Sequence, residues 1–272
     1  MKKGRRILRI ILEALKIDKM PKARLVHLWF ALLFILAATA YMTMPEGGQL
    51  DHFNEQMASF LQRKAALPFP PAIWFSVLLR QAGLILASSW FILLYAVHWL
   101  FASSDIVGEV VLSQGTMAIP PMTKTKDRSP TRVALKAYPT LLLLAAASIL
   151  PYVLSIPLMG IPFFVFSSMF SMAIFVRTFE NKGIPSAMEA SFQMTMGMKF
   201  FIFVSFMFLQ SITSMAASLL QMVFARSLWA GSLIRAFFFA LNTLAFGRMA
   251  ALFYRSLSAR GALTAPGPLD GN

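Results

Sequence analysis

Three histidines, eleven carboxylates and no cysteine are all the chain offers for acid–base, metal or thiol chemistry. The histidines are His27, His52 and His98. Asp51, His52 and Glu55 come nearest to a metal set, but they lack a fourth ligand at the spacing a closed site needs. No His-Glu-x-x-His, paired-Asp or phosphate-loop pattern occurs. Gly-x-Ser-x-Gly is absent as well. Without cysteine there is neither a disulfide framework nor a thiolate centre. These residues predict no enzyme, no metal and no cofactor. Lone histidines at such positions read as polar anchors.

Polar side chains inside apolar sequence are the other candidates for function, because charge in lipid marks transport paths or tight helix contacts. Arg80, Arg235 and Arg248 lie in apolar runs and are long enough to reach an interface. Gln210, Asn242 and the Ser88–Ser89 pair lie nearest the middle of theirs. Gln210 and Asn242 suit hydrogen bonds between helices. With Arg248 at its mouth, the same pair would line a polar path if the protein moves a solute. No Asp or Glu falls at an obvious midplane position, and the two halves show no clear inverted repeat, which argues against an ion-coupled carrier.

The elements that must hold these residues follow from composition. The sequence is 58% hydrophobic and 13% charged, with 26 Phe and 18 Met, whereas a soluble domain is about a quarter charged. Such a surface needs lipid, and a spanning helix needs ~20 apolar residues. Six runs qualify: 25–44, 73–102, 137–158, 161–176, 200–224 and 232–254. The expected fold is therefore all-α, a polytopic membrane protein of six helices, since lipid demands internally paired backbone. Pro157, Gly160 and Pro162 predict a tight turn making the third and fourth runs a hairpin, and Pro151 a kink in the third. Three parts follow: a basic segment 1–24, a membrane domain 25–254 and a tail 255–272 expected to be disordered at its end.

Lys2, Lys3, Arg5, Arg6, Arg9, Lys16, Lys19, Lys22 and Arg24 crowd the start. Loop 45–71 instead sets Arg63 and Lys64 against Glu46, Asp51 and Glu55. Loop 103–136 is basic again, and so is 177–199. This alternation predicts both termini in the cytoplasm. The +14 net charge then belongs to orientation and to anionic inner-leaflet headgroups rather than to nucleic acid, for which no recognition module is present. Residues 5–17 form an amphipathic pattern, with Arg5, Arg6, Arg9, Glu13 and Lys16 in an arc of about 100°. It predicts a helix lying on the inner leaflet, with Arg5, Arg6, Arg9 and Lys16 as lipid contacts. Within the outer loop, residues 54–67 suggest a short interfacial helix. In the largest inner loop, residues 120–132 suggest a flexible basic stretch.

The segment "ENKGIPSAMEASFQMT", residues 180–195, interrupts the apolar sequence. Gly183 and Pro185 break the chain, and Ser186 with Glu189 has the spacing of a capping box, so a short helix is expected near Ser186. Met188, Phe192 and Met196 would share one face. Glu180, Lys182, Gly183, Ser186 and Glu189 are the candidate cytoplasmic contact.

Here a resemblance enters. "FENKGIPSAMEASFQMTMGMKFF" carries Glu180, Lys182, Gly183, Ala187, Ser191, Met194, Thr195 and Gly197 at spacings that resemble a segment of the membrane domain attached to some bacterial glycerophosphodiester phosphodiesterases. It also resembles related six-helix bacterial membrane proteins. Tyr254, Leu257 and Arg260 are similar to the family's closing segment. In that family the phosphodiesterase resides in a separate soluble barrel, so the resemblance implies a six-helix fold and not that activity. The expectation is a non-enzymatic bacterial inner-membrane scaffold or accessory subunit in an envelope or lipid-linked process, with lipid and a membrane protein as partners. The alternative is a transporter or lipid-handling protein with a polar path between helices.

Overall fold

The structure is a computed structural model. It describes residues 10–18, 20, 23–44, 48–62, 64, 66, 68–114, 129–149, 166–167, 170–224 and 227–264. The described residues form helices and turns with no strand. After a short helical segment at 10–15 come α1 (Ala23–Met42), α2 (Gly48–Leu61), α3 (Ala72–Gln114) and α4 (Pro130–Ala147). They are followed by α5 (Ala173–Glu180), α6 (Ile184–Met194), α7 (Lys199–Val223) and α8 (Leu228–Thr264).

Four of these are long and apolar enough to cross a membrane: Ala23–Met42, Ala72–Ala102, Lys199–Val223 and Trp229–Ser258. They coincide with the first, second, fifth and sixth expected runs. The third and fourth fall in part on residues 150–165, outside the described residues, as do Pro151 and the expected hairpin turn. Their described parts are α4 and α5. The protein is thus a helical membrane-type chain with four candidate spans. Its large exposed side chains, among them Leu28, Leu32, Ile35, Leu79, Ile85, Phe208 and Met215, are those that lipid solvates at no cost.

Packing divides the molecule into two halves. The near half contains residues 10–20, the start of α1 and the later parts of α3 and α8. Its core joins Val26, Trp29 and Leu33 of α1, Leu93 to Leu100 of α3, and Leu244, Met249, Phe253, Tyr254 and Leu257 of α8. Val133, Ala134 and Ala137 of α4 and Ile174 to Val176 of α5 complete it. Small residues let the backbones close up. A Cβ added to Gly247 would stand 2.7 Å from the Ile92 carbonyl oxygen, so α8 and α3 touch main chain to main chain here. The far half contains the end of α1, α2 and the start of α3. Among the described residues, its core cluster is Ala37, Ala38, Leu84 and, from the start of α8, Ala236.

Local signals explain the helix ends. Ser129 caps α4: its Oγ accepts from the Arg132 N–H at 3.3 Å, with Pro130 in the first turn. The stretch expected to be flexible therefore turns helical at Pro130. α2 begins before the expected 54–67 segment, at Gly48, and Phe53 meets Trp74 at the foot of α3 with ring centroids 6.3 Å apart. Arg80 of α3 donates from Nη1 to the Thr43 carbonyl just past α1, placing a cation at that helix's C-terminus.

Candidate functional site

Arg248 sits on α8 in the near half, 5% exposed. Its Nη1 donates to the Lys16 carbonyl at 2.5 Å and approaches the Tyr95 hydroxyl at 3.5 Å. Tyr95, on α3, donates its hydroxyl to the Ile17 carbonyl at 2.9 Å. Nη2 lies 3.8 Å from the Glu13 carboxylate, which Lys16 pairs at 2.5 Å. The Trp99 ring is 6.0 Å from the Arg248 guanidinium and 5.8 Å from that of Arg255. The physical reason for the arrangement is plain. The helical segment 10–15 ends with carbonyls that have no partner in their own helix. A buried guanidinium and a phenol from two membrane helices supply donors, and the cation faces the negative end of the segment.

This differs from a helix lying on lipid. Ile11 and Ala14 are buried against the bundle and Met20 follows them, while Leu12 is 52% exposed. An amphipathic period fits a protein groove as well as a leaflet, and here at least one apolar stripe enters protein. Arg5, Arg6 and Arg9 lie outside the described residues. Lys16 is occupied by Glu13 through its ammonium and by Arg248 through its carbonyl.

Gln210 and Asn242 meet as helix partners. Asn242 donates from Nδ2 to the Gln210 Oε1 at 2.5 Å, and the Thr213 hydroxyl donates to the Asn242 Oδ1 at 3.2 Å. This network joins α7 to α8. Toward the far end, Arg235 of α8 donates from Nε to the Gln221 Oε1 of α7 at 3.3 Å. The structure does not bring Arg248 into the Gln210 cluster: it meets Glu13, the Lys16 carbonyl, Tyr95 and Trp99 instead. Of the serine pair, Ser89 reaches the Tyr138 hydroxyl at 3.3 Å, and Tyr138 donates to the Leu86 carbonyl at 2.9 Å, tying α4 to α3.

The 180–195 segment folds as a hairpin of α5 and α6. Asn181 takes the left-handed conformation that ends α5, at φ 54°, and Lys182 pairs with Glu180 at 2.8 Å. Gly183 rather than Ser186 is the N-cap of α6, at φ −61° and ψ 162°. Ser186 lies inside the first turn and donates to the Gly183 carbonyl at 3.0 Å. The expected capping box is therefore not formed. Pro185 sets the cap three residues earlier, its ring pre-shaped for the first turn. The inward face also differs. Ala187, Ser191 and Thr195 are fully buried, one above another at i+4 spacing. Met188 and Phe192 sit at its margin, and Met196 is 62% exposed. Ser191 accepts from the Met172 N–H at 3.2 Å, which fixes the two helices together. Glu189 is exposed.

His98 is held between helices, with Nε2 3.1 Å from the Thr131 hydroxyl and its ring edge-on to Trp29 at 5.0 Å. His52 pairs with Gln56 at 3.0 Å, and His27 is exposed. Among the described residues no three His, Asp or Glu side chains come together as a metal-holding group. A cavity of about 190 Å³ lies between α4, α5 and α6, lined by Leu141, Leu144, Ile174 and Met188 with Ser148, Ser167 and Ser171 as its polar groups. Among the described residues its lining holds no charged side chain. Sequence reading missed the Arg248–Lys16 junction, which spans 232 positions and has no local signature. No family model, curated protein or solved structure matches the chain.

Proposed function

We propose that this is a non-enzymatic bacterial inner-membrane protein of six spans, acting as a scaffold or accessory subunit in an envelope or lipid-linked process. The carrying observation is how its membrane-embedded polar groups are used. Arg248, Tyr95, Asn242 and Thr213 bind backbone or a neighbouring helix, where a carrier would turn such groups toward a solute path. The orientation rests on charge. The near half collects Lys16, Arg132, Lys136, Arg177, Lys182, Lys199 and Arg255, while the far half has Lys64, Arg80 and Arg235 together with Asp51 and Glu55. That asymmetry supports cytoplasmic termini. The six-span layout is also the one implied by the resemblance to the diesterase-linked membrane domain. The two remaining spans include residues 150–165. The basic side chains of segment 1–9 are then the proposed contacts for anionic headgroups.

Two measurements test the reading. Purification of the full chain in mild detergent should return a stoichiometric membrane partner or tightly held lipid. Proteoliposomes containing the chain should show no solute or lipid flux above empty vesicles. Flux would replace this reading with the transporter or lipid-handling alternative. Cysteine labelling of residues 50–60 from the cytoplasmic side alone would overturn the orientation.

A further inference from the structure

The two donors that hold the N-terminal segment come from different helices. Tyr95 is on α3 and Arg248 on α8, and both are buried. Their acceptors are neighbours in the chain, the carbonyls of Ile17 and Lys16. The Tyr95 hydroxyl and the Arg248 Nη1 also stand 3.5 Å from each other. One short stretch of backbone therefore straddles a junction between two membrane helices. The same segment sends Ile11 and Ala14 into the core cluster that contains Leu93 to Leu100 of α3 and Leu244 and Met249 of α8.

The second observation is where this junction lies. Gly247 immediately precedes Arg248, and a Cβ there would stand 2.7 Å from the Ile92 carbonyl oxygen and 3.0 Å from the Tyr95 Cβ. Both donors thus spring from the place where α3 and α8 touch main chain to main chain. A hydrogen bond is lost by about 3.6 Å. The bond from Tyr95 to the Ile17 carbonyl is 2.9 Å long, so sliding or parting α3 from α8 by about 1 Å leaves the segment able to keep one of its two donors but not both. The dependence also runs the other way. Without the segment, Arg248 loses the Lys16 carbonyl and the Glu13 carboxylate 3.8 Å from its Nη2. A buried cation deprived of its oxygens destabilises the packing that buries it, and here that packing is the α3–α8 crossing.

From this we infer that residues 10–17 are a strap latched across the α3–α8 crossing, each holding the other in place. The segment docks on the closed crossing, and the crossing stays closed under the docked segment. Such a coupling is reciprocal by thermodynamic necessity. Whatever engages the N-terminal segment is then felt between α3 and α8, and whatever wedges α3 from α8 releases the segment. The device rests on contacts within the chain and not on the scaffold reading. A transporter with this junction would be strapped in the same way.

The chain has no cysteine, so single cysteines report without background. Ala14→Cys reads the strap. Ala251→Cys reads the crossing: Ala251 is fully buried and lies at i+4 from Gly247, on the face that α8 turns to α3. Thiol labelling of the full chain in native membranes should be slow at both. Gly247→Ala, which wedges the crossing, should speed labelling at Ala14→Cys about tenfold. Tyr95→Phe, which removes one latch and adds no volume, should speed it several-fold and covers failure of the wedged variant to fold. Ile11→Asp, which undocks the strap, should speed labelling at Ala251→Cys by about the same factor as the wedge produces at Ala14→Cys. Leu209→Ala, a core truncation on α7, should lower the melting temperature yet leave Ala14→Cys within about twofold of its unaltered rate. Shielding of Ala14→Cys that persists beside both Gly247→Ala and Tyr95→Phe would overturn the inference. So would shielding of Ala251→Cys beside Ile11→Asp, or release of the strap by Leu209→Ala as large as by the wedge.

Discussion

Arg248 and Gln210 are both polar groups in the membrane domain, and the protein treats them in opposite ways. Arg248 is enclosed, and its charge is met by two elements far away in sequence: the end of the 10–15 segment and the α3 phenol. Gln210 is exposed, and its hydrogen-bonded partner is the next helix in the chain. Six residues of α8, about 9 Å, separate Arg248 from Asn242. Further along α8, at Ala236, the bundle passes from a core of aromatic and aliphatic residues to a small cluster of alanines and one leucine. The near half is internally complete where it is described. Among the described residues, Gln210, Ser214 and Ser218 of α7 lie at the surface. A buried charge must be compensated within the same molecule or it destabilises the fold, whereas an amide at a surface can wait for a partner.

If the near half is a closed core, it should tolerate added volume worst. Gly247→Val would place a branched side chain where a Cβ already stands 2.7 Å from the Ile92 carbonyl oxygen and 3.0 Å from the Tyr95 Cβ. The expected cost is about 3 kcal/mol, at the upper end for overpacking. Gly231, near the far end of α8, has nothing within 4 Å of such a Cβ. Gly231→Ala should be neutral or stabilise by ~0.5 kcal/mol. Melting in detergent compares the two, and equal losses would erase the distinction between halves.

The Arg248 junction comes next. Arg248→Met removes a buried cation but strands the Lys16 carbonyl, so the net loss should be about 2 kcal/mol. The sharper readout is local. Ala14→Cys should be shielded from thiol reagent in the unaltered background and should label rapidly beside Arg248→Met. Shielding that persists would mean burial of Ile11 and Ala14 alone holds the segment.

Much of this architecture was legible, and its omissions have physical causes. Four spans were visible as apolar runs because lipid demands length and hydropathy, which are local properties of sequence. The Gln210–Asn242 pairing was also open to reading, since two lone amides near the middle of adjacent spans have few partners but each other. Docking of residues 10–20 was not. The period that places Ile11 and Ala14 on one stripe says only that the stripe is apolar, and not whether lipid or protein receives it. The start of α6 was misplaced because Ser186 and Glu189 match a capping box, yet Pro185 fits only the first turn and moves the boundary to Gly183. Likewise the polar stretch before α4 hid a Ser129–Pro130 start under basic residues.

Smaller effects belong to the amide network. Asn242→Leu should cost about 1 kcal/mol, the range found for hydrogen bonds between membrane helices. Gln210→Leu should cost less, because it also removes the exposed amide from lipid. A double-mutant cycle between the two should give a coupling near 0.6 kcal/mol. Coupling of zero would mean the pair is not joined in the membrane, and Gln210 would then have both ends of its amide for another partner.

The smallest effect expected is in the segment 180–195. Ser186 is exposed and its hydroxyl donates to the Gly183 carbonyl of its own turn. Replacing it with Ala removes no capping acceptor, so the change should stay within about 0.5 kcal/mol. Glu189→Ala should be similarly small, because the carboxylate is exposed and has no cap to complete. Ser191→Ala supplies the contrast within the same helix: it leaves the buried Met172 N–H without its acceptor, for about 1 kcal/mol or more. Gradual thermal melts of the three variants should therefore separate Ser191→Ala from the other two. Should Glu189→Ala fold and accumulate normally yet abolish the cellular role, its exposed carboxylate would be a partner contact on the α5–α6 hairpin. The hairpin would then be a surface turned outward, beside a core that is already closed.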